Sequence, residues 1–280
     1  MRDKMVLVTG ATDGIGKETA RQLAAMGARV LIAGRNEEKG AAAVRDIMAT
    51  TGSTQVEFLR ADLSVQAEVR QLASTVKNRV DRLDVLLNNA GVLMFRREET
   101  QDGIEMTFGV NHLNYFLLTH ELLDLLKASA PARIVNVASI AHRRAVLDFD
   151  DLQLNTGFRA MKAYSRSKLA NVMFTYALSR RLAGSGVTAN CLHPGFVRTH
   201  FGQNNGLVAR MGVALAMRFG NAISAAQGAQ TSVFLASAPE VAAQSGLYFD
   251  ECKAVKSNQV SYDRDAQERL WDVSASMVGL

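Results

Sequence analysis

The 280 residues predict an α/β protein: a single doubly wound domain whose seven-stranded parallel sheet carries helices on both faces. Three observations carry that expectation. Short β-branched or apolar runs alternate with amphipathic helical stretches along almost the whole chain, as parallel strands with crossover helices require. A glycine-rich turn directly follows the first such run. Only three prolines occur, and no Pro/Gly/Ser-rich linker divides the chain.

Taken in order, residues 5–9 (MVLVT) form an uninterrupted apolar strand, and the glycine-rich turn opens a helix over 15–26. Residues 29–33 (RVLIA) read as the second strand and 37–49 as the second helix. The third and fourth strands are 56–60 (VEFLR) and 85–88 (VLLN), with a helix over 65–79 between them. A long helical pattern over 101–128 leads to the fifth strand, 133–138 (RIVNVA). The next helix, 159–183, closes on Arg180 and Arg181 before Gly184, where cations complement the helix dipole. After the sixth strand, 187–192 (VTANCL), the rhythm breaks at 200–221, which has a Gly/Asn-rich start and an apolar stretch over 207–219. A helix over 222–236 and a strand at 247–249 finish the pattern.

Composition excludes whole classes. At 48% hydrophobic and 21% charged residues the chain is globular rather than disordered. Its apolar runs fall short of the ~18 residues of a membrane span, and its start lacks the apolar core of a signal peptide. Cys191 and Cys252 form no CxxC pair, which points to a reducing, cytoplasmic setting. A net charge of +5 raises nucleic-acid binding, but no recognition module or aromatic-interleaved basic stripe supports it. The excess is local: residues 152–239 hold nine Lys/Arg and no Asp or Glu. A positive field there draws in anionic cofactors and favours anionic lipid surfaces.

The turn after the first strand reads Thr9-Gly10-Ala11-Thr12-Asp13-Gly14-Ile15-Gly16. Its glycines let the backbone turn tightly and approach a diphosphate, while a helix N-terminus offers N–H groups and partial positive charge. An ordinary strand-to-helix turn is the bland alternative. Its place after the first strand of an alternating chain favours a dinucleotide site. At the end of the second strand, where an acid reads the ribose 2′-hydroxyl of NAD, the chain has Ala33-Gly34-Arg35-Asn36. A guanidinium suits a 2′-phosphate, so Arg35 selects NADP(H) over NAD(H) unless it is a solvated loop residue.

Tyr164 and Lys168 stand at i and i+4, on one helical face. A phenol titrates near pH ~10, and a neighbouring ammonium lowers that by ~1–3 units, toward useful acid/base chemistry. Ser139 ends the preceding strand, where its hydroxyl either holds a substrate oxygen or serves as a cap.

Together these residues resemble the short-chain dehydrogenase/reductases, through the 9–16 turn, Asp62-Leu63, Asn88-Asn89-Ala90-Gly91, Asn111, Ser139, Tyr164-x-x-x-Lys168 and Pro194-Gly195. The resemblance is greatest to the retinol-dehydrogenase-like branch, through Gly14-Ile15-Gly16-Lys17-Glu18-Thr19-Ala20, Val110-Asn111-His112-Leu113 and the run from Ala163 to Asn171. It implies a Rossmann-type fold and a hydride transfer between nicotinamide and a carbonyl or alcohol. By that resemblance Tyr164 is the general acid/base, and Lys168 binds the ribose and holds the tyrosine acidic. Ser139 orients the substrate oxygen, and Asn111 holds a proton-relay water. Gly10, Thr12, Asp13, Gly14, Ile15, Gly16, Arg35, Asp62, Leu63, Asn89, Ala90 and Gly91 line the cofactor, with Pro194, Gly195, Val197 and Thr199 at its nicotinamide end.

Three departures stand out. Asp13 occupies a site that is often basic in NADP-preferring relatives, Asn114 replaces a frequent glycine, and Ser139 and Tyr164 are separated by a long interval whose insertion could add a flap. The chain also starts almost at its first strand, so an N-terminal membrane anchor is not expected. The 207–219 stretch reads as a substrate lid, a packed amphipathic helix, or an element making peripheral membrane contact. All three suit a small hydrophobic carbonyl or alcohol substrate, retinoid-like or otherwise lipophilic. His112 and His193 read as structural, since neither lies in a ligand-spaced cluster, and no metal is expected. Family habit implies a homodimer or homotetramer. The competing readings are a non-catalytic NADP(H) sensor and a sugar epimerase or dehydratase of the extended family.

Overall fold

In a computed structural model, which describes residues 1–197 and 222–280, eight strands form one sheet in the order β3-β2-β1-β4-β5-β6-β7-β8. The strands are β1 (Met5–Thr9), β2 (Arg29–Gly34), β3 (Val56–Arg60), β4 (Val85–Asn88), β5 (Ala132–Val137), β6 (Val187–His193), β7 (Tyr248–Asp250) and β8 (Lys253–Val255). The first seven run parallel, which forces right-handed crossovers and gathers every βα loop at one edge. The strand order reverses between β1 and β4, and ligands of such sheets bind at that crevice.

Each strand feeds two cores by alternation. Met5 and Leu7 of β1 point into one, Val6 and Val8 into the other. The first core packs against α3 (Gln66–Arg79), α4 (Asn114–Ala128), α5 (Ala160–Arg181) and α7 (Arg264–Met277). The second packs against α1 (Gly14–Ala25), α2 (Glu37–Thr51) and α6 (Ala225–Ser237). Fully burying one Leu or Val side chain is worth ~1.5–3 kcal/mol, so burial on both faces accounts for the unbroken apolar reading of β1.

Two differences from the sequence reading have physical causes. The sheet has eight strands rather than seven, because β8 turns back antiparallel on β7. Its hairpin turns through Glu251 and Cys252 at φ +47° and +62°, left-handed positions that carry none of the usual glycine or asparagine signal. The helix expected over 101–128 starts late. A turn over 100–103 delays it, and the buried Glu105 carboxylate then caps a helical turn (Met106–Phe108) by accepting from Thr107 and Phe108 N–H at 2.8 and 2.7 Å. A π-helical turn (Gly109–Leu113) carries the chain into α4. Helix α7 was not read from the sequence. It is mostly polar and buries only Gln267, Leu270 and Ser274, although Asp263 caps it at 3.1 Å from Ala266 N. Residues 198–221, including Thr199 and the expected lid, lie outside the described residues. Among the described residues, no helix is long and apolar enough to cross a membrane.

At the opposite edge of the sheet, Asp84 joins β1 to β4. Its buried carboxylate accepts from Lys4 Nζ, Met5 N and Arg82 Nε, each at 2.9 Å. Burial alone would raise its pKa, but these bonds from Arg82, Met5 and Lys4 hold it below the ordinary 3.8. The stabilisation is therefore complete above that value and fades as the pH falls through the lowered one. We expect Asp84→Ala to cost ~1–3 kcal/mol at pH 7, chiefly by leaving buried Met5 N–H without its partner while the half-exposed Lys4 and Arg82 return to solvent, and the gap from the parent to narrow in chemical denaturation at acid pH.

Candidate functional site

The cofactor-binding and catalytic positions expected from the sequence that are described gather at the carboxyl edge of the sheet, with Asn111 packed behind it. Gly10 to Gly16 follow β1, Arg35 follows β2, and Asp62 and Leu63 follow β3. Asn89 to Gly91 follow β4, Ser139 follows β5, and Pro194, Gly195 and Val197 follow β6. Tyr164 and Lys168 lie in the first turns of α5.

The glycine turn is built by close packing as much as by torsion. Gly10 and Gly14 have φ of +63° and +56°. A Cβ on Gly10 would meet Ala90 Cα at 2.7 Å, and one on Gly16 would meet Asn89 Nδ2 at 2.4 Å. Asn89 staples the turn by donating from Nδ2 to Thr9 O at 2.9 Å and Gly10 O at 3.1 Å. Thr9 Oγ1 in turn accepts from the N–H groups of Asn89 and Ala90. Thr12 packs over Gly34, where a Cβ would meet its methyl at 2.8 Å. Asp13 caps α1, accepting from Gly14 N at 2.7 Å, and Ile15 takes a hydrogen bond from Thr19 Oγ1 at its carbonyl. Arg35 is exposed at the end of β2, beside Asn36, which caps α2. The Asp62 carboxylate accepts from Ser64 N and Oγ, shaping the loop that buries Leu63.

These residues fit a dinucleotide. The glycines keep the α1 N-terminus free of Cβ bulk, and Arg35 supplies exposed positive charge one strand away. The least favourable feature is the Asp13 carboxylate at the helix N-terminus, but Asp13 is exposed and can rotate away.

At the other end of the crevice, Ser139 stands beside the Tyr164 phenol and works to lower its pKa. Its Oγ also accepts from Ala141 N at 3.2 Å, which makes it a helix cap and a tyrosine partner at once. The buried Lys168 donates from Nζ to Val137 O at 2.9 Å and lies 5.8 Å from the Tyr164 ring centre. Gly91 leaves room for this group: a Cβ there would be 3.3 Å from Asn111 Oδ1 and 3.6 Å from Lys168 Nζ. The Asn111 side chain makes three of its four possible hydrogen bonds. It accepts from Val92 N at 2.7 Å and donates to Val92 O and Ser167 Oγ at 3.0 Å each. The Asn111 main-chain carbonyl accepts from Asn171 Nδ2 at 2.8 Å and, like Oδ1, keeps one lone pair for a water. π-helical turns recur at functional sites, and this one carries Asn111. Asn114, in place of the frequent glycine, donates to Val110 O within that turn. Beyond β6, Gly195 takes φ +86° and packs against Ile223, Pro194 O lies 3.2 Å from the Cβ position of Gly228, and Val197 pairs with Ile223.

A model of the family described as short chain dehydrogenase matches residues 4–207. The chain belongs to the short-chain dehydrogenase family. It is 45% identical to human retinol dehydrogenase 13 over 281 residues, which span 99% of this chain and 85% of that protein. A solved, uncharacterised protein from Mycobacterium paratuberculosis superposes with a TM-score of 0.80 at 32% identity, covering 99% of this chain and 94% of that one. Pseudomonas aeruginosa RhlG, solved with NADP, gives a TM-score of 0.71 at 28% identity, over 89% of this dehydrogenase and 94% of RhlG.

Several residues around the site were not read from the sequence. Ser167, one turn after Tyr164, links the Tyr164 carbonyl to Asn111. Tyr115 is buried with its ring 5.7 Å from Lys168 Nζ, and its hydroxyl has no hydrogen-bond partner among the described residues. The insertion after Ser139 is fastened to the body, with Leu152 and Leu154 buried and Asp151 O held by Arg166 at 2.7 Å. His112 is structural as expected: it bridges Asn171 and Ser274, and burial lowers its pKa to about 4.

Burial pushes Tyr164 up to about 12 against the opposing Ser139 hydroxyl, and burial pulls Lys168 down to about 7. Desolvation, which disfavours the charged form of each group, drives both shifts. Because folded Lys168 releases its proton lower than the ordinary 10.5, the unfolded chain binds more protons between the two values. Stability therefore rises with pH across that window, and the full cost of the buried charge is felt below about 7. We expect Lys168→Met to raise stability by ~1–4 kcal/mol at pH 6, with the gain shrinking toward pH ~10 in thermal melts.

Proposed function

We propose that this oxidoreductase uses NADP(H) to interconvert a lipophilic carbonyl and its alcohol, with Tyr164 as the proton donor and acceptor. The observation that carries the reading is Ser139 standing beside the Tyr164 phenol, with Lys168 one helical turn further along and its Nζ 5.8 Å from the Tyr164 ring centre. Bound NADPH would supply the hydride; the chain supplies orientation and proton handling.

Tyr164, protonated near neutral pH, is in the form that donates to an oxygen gaining negative charge during reduction, and takes the proton back in oxidation. Ser139, with its Oγ already accepting from Ala141, has its own O–H to turn toward that oxygen. Lys168 lies where it can bind a ribose hydroxyl and reach Tyr164, with Asn111 behind it through Gly91 and Val92. Gly10, Thr12, Asp13, Gly14, Ile15 and Gly16 would hold the diphosphate, Arg35 the 2′-phosphate, and Asp62 and Leu63 the adenine. Asn89, Ala90 and Gly91 would back the ribose, with Pro194, Gly195, Val197 and Thr199 at the nicotinamide. Cofactor choice is supported by Arg35 and by RhlG, a neighbour solved with NADP.

The substrate class rests on apolar surface next to the catalytic residues. Ile140 follows Ser139, Met161 precedes Tyr164 by one turn, and Phe196 and Phe95 extend the loops after β6 and β4; all four are exposed. Large exposed apolar side chains gathered at one sheet edge mark a surface for an apolar ligand. The similarity to retinol dehydrogenase 13 agrees with an isoprenoid-like or other long aldehyde. The reading includes a single catalytic unit with its lid within 200–221, a homodimer or homotetramer, and a reducing, cytoplasmic setting supported by free Cys191 and Cys252.

A panel of apolar aldehydes, ketones and retinoids followed by NADPH absorbance tests this. Tyr164→Phe should lower turnover by ~10²–10⁴-fold with NADPH binding retained; equal turnover in both would favour the non-catalytic sensor. Arg35→Asp should shift preference from NADPH toward NADH by tenfold or more, roughly the ~1.4 kcal/mol equivalent of losing one charge-assisted contact.

A further inference from the structure

One peptide unit at the site is gripped at both polar ends by imidazoles. The carbonyl of Ser139 accepts from His142 Nδ1 at 2.6 Å, and the N–H of the next residue, Ile140, donates to His193 Nδ1 at 3.2 Å. The proton positions follow from the partners. Asn258 N–H, which can only donate, lies 3.1 Å from His142 Nε2, so Nε2 carries the lone pair and Nδ1 carries the proton. At His193 the arrangement is reversed, with Nδ1 accepting and Nε2 protonated. Burial and the Arg143 charge hold both rings below the ordinary histidine value, although Asp250 pulls His193 the other way.

Asn258 also spans the turn with its side chain, donating from Nδ2 to the carbonyls of His142, Arg143 and Ala145 at 3.2–3.3 Å. It is itself anchored through its neighbour Ser257, whose Oγ bonds Tyr176 OH of α5 at 2.7 Å. His142 is fully enclosed, with its ring centre 4.7 Å from that of Tyr248. The segment after β8 thus reaches across the sheet edge to hold the turn that begins at Ser139.

We propose that His142 and His193 are positioning residues that aim the Ser139 hydroxyl at the substrate oxygen, with Asn258 fixing the tautomer of His142. The proposal rests on the catalytic reading of Ser139. Holding the 139–140 peptide plane fixes ψ of Ser139 at 157°, and so the direction of its Cα–Cβ bond relative to Tyr164. A plain turn needs only a cap, and Ser139 Oγ already caps this one through Ala141. The two imidazoles bind the plane itself and so hold the backbone from which the Ser139 side chain projects, while Ala141 N–H holds Oγ. A misplacement of about 1 Å at a reacting group costs on the order of a hundredfold in rate.

A double-mutant cycle with NADPH and decanal tests the proposal. His142→Phe keeps the ring volume and removes both nitrogens, whereas His142→Asn places an amide donor where Nδ1 stands. His142→Phe should lower kcat by about tenfold or more with KM for NADPH unchanged, and His142→Asn should recover most of it. In a Ser139→Ala background His142→Phe should cost nothing further, because its effect runs through Ser139. An equal loss in both backgrounds overturns the proposal. Wild-type turnover in Ser139→Ala alone overturns the catalytic reading of that serine, a distinct result. Should His142→Phe not fold, His193→Leu against His193→Asn completes the same cycle. Imidazole ¹⁵N spectra of the unmodified protein check the clamp without turnover: His142 must be protonated at Nδ1 and His193 at Nε2 from pH 6 to 8. The opposite tautomers overturn it.

Discussion

Helix α5 is buried along most of its length, and every polar side chain on its inner face needs a partner. That requirement organises the site. Lys168 turns to Val137 O, Asn171 reaches Asn111 O and His112, and Thr175 receives a hydrogen bond from Asn136. Asn136 continues to Asn88, which donates on to Thr119 of α4. A connected polar ladder thus crosses an otherwise apolar core and joins α5 to β5, β4 and α4. Such networks rigidify when nearly satisfied, and this one holds the π-helical turn of Asn111 against the ends of β4 and β5. The candidate site is the exposed end of that ladder.

A lysine without a carboxylate partner is the least comfortable member. Its ammonium is enclosed by a carbonyl, two aromatic rings and backbone, and desolvation draws down its proton affinity. A natural core seldom keeps such a group unless something other than stability selects it. The same desolvation raises the pKa of the Tyr164 phenol to about 12. Burial thus shifts both groups toward their neutral forms, by an amount that depends on how tightly α5 packs under the crevice.

The positive half of the chain has a structural counterpart. Arg159 and Lys162 lie at the start of α5, the helix that carries Tyr164 and Lys168 to the carboxyl edge of the sheet. Other cations of this half serve the scaffold: Arg166 holds the 148–151 segment, while Arg180 and Arg181 pair with Glu268. A long-range field toward an anionic cofactor and ordinary helix-end pairing thus come from one stretch of sequence.

Much of the fold was legible because it rests on local pattern. The apolar run of β1, the glycine turn and the Tyr164–Lys168 spacing each express a constraint within a few residues, and the alternation of strands and helices implies the parallel sheet. What lay beyond reading was non-local. The hairpin to β8 turns through Glu251 and Cys252 without a turn signal, and Asn258 sits more than a hundred residues from the Ser139 turn it clamps. The phenol's rise and the lysine's fall follow from solvent exclusion, which no spacing of residues encodes. By itself the sequence determined which groups reach the carboxyl edge of the sheet, since parallel topology leaves them nowhere else. Only the tertiary structure decided their protonation and aim, because both depend on burial and on partners brought from distant parts of the chain.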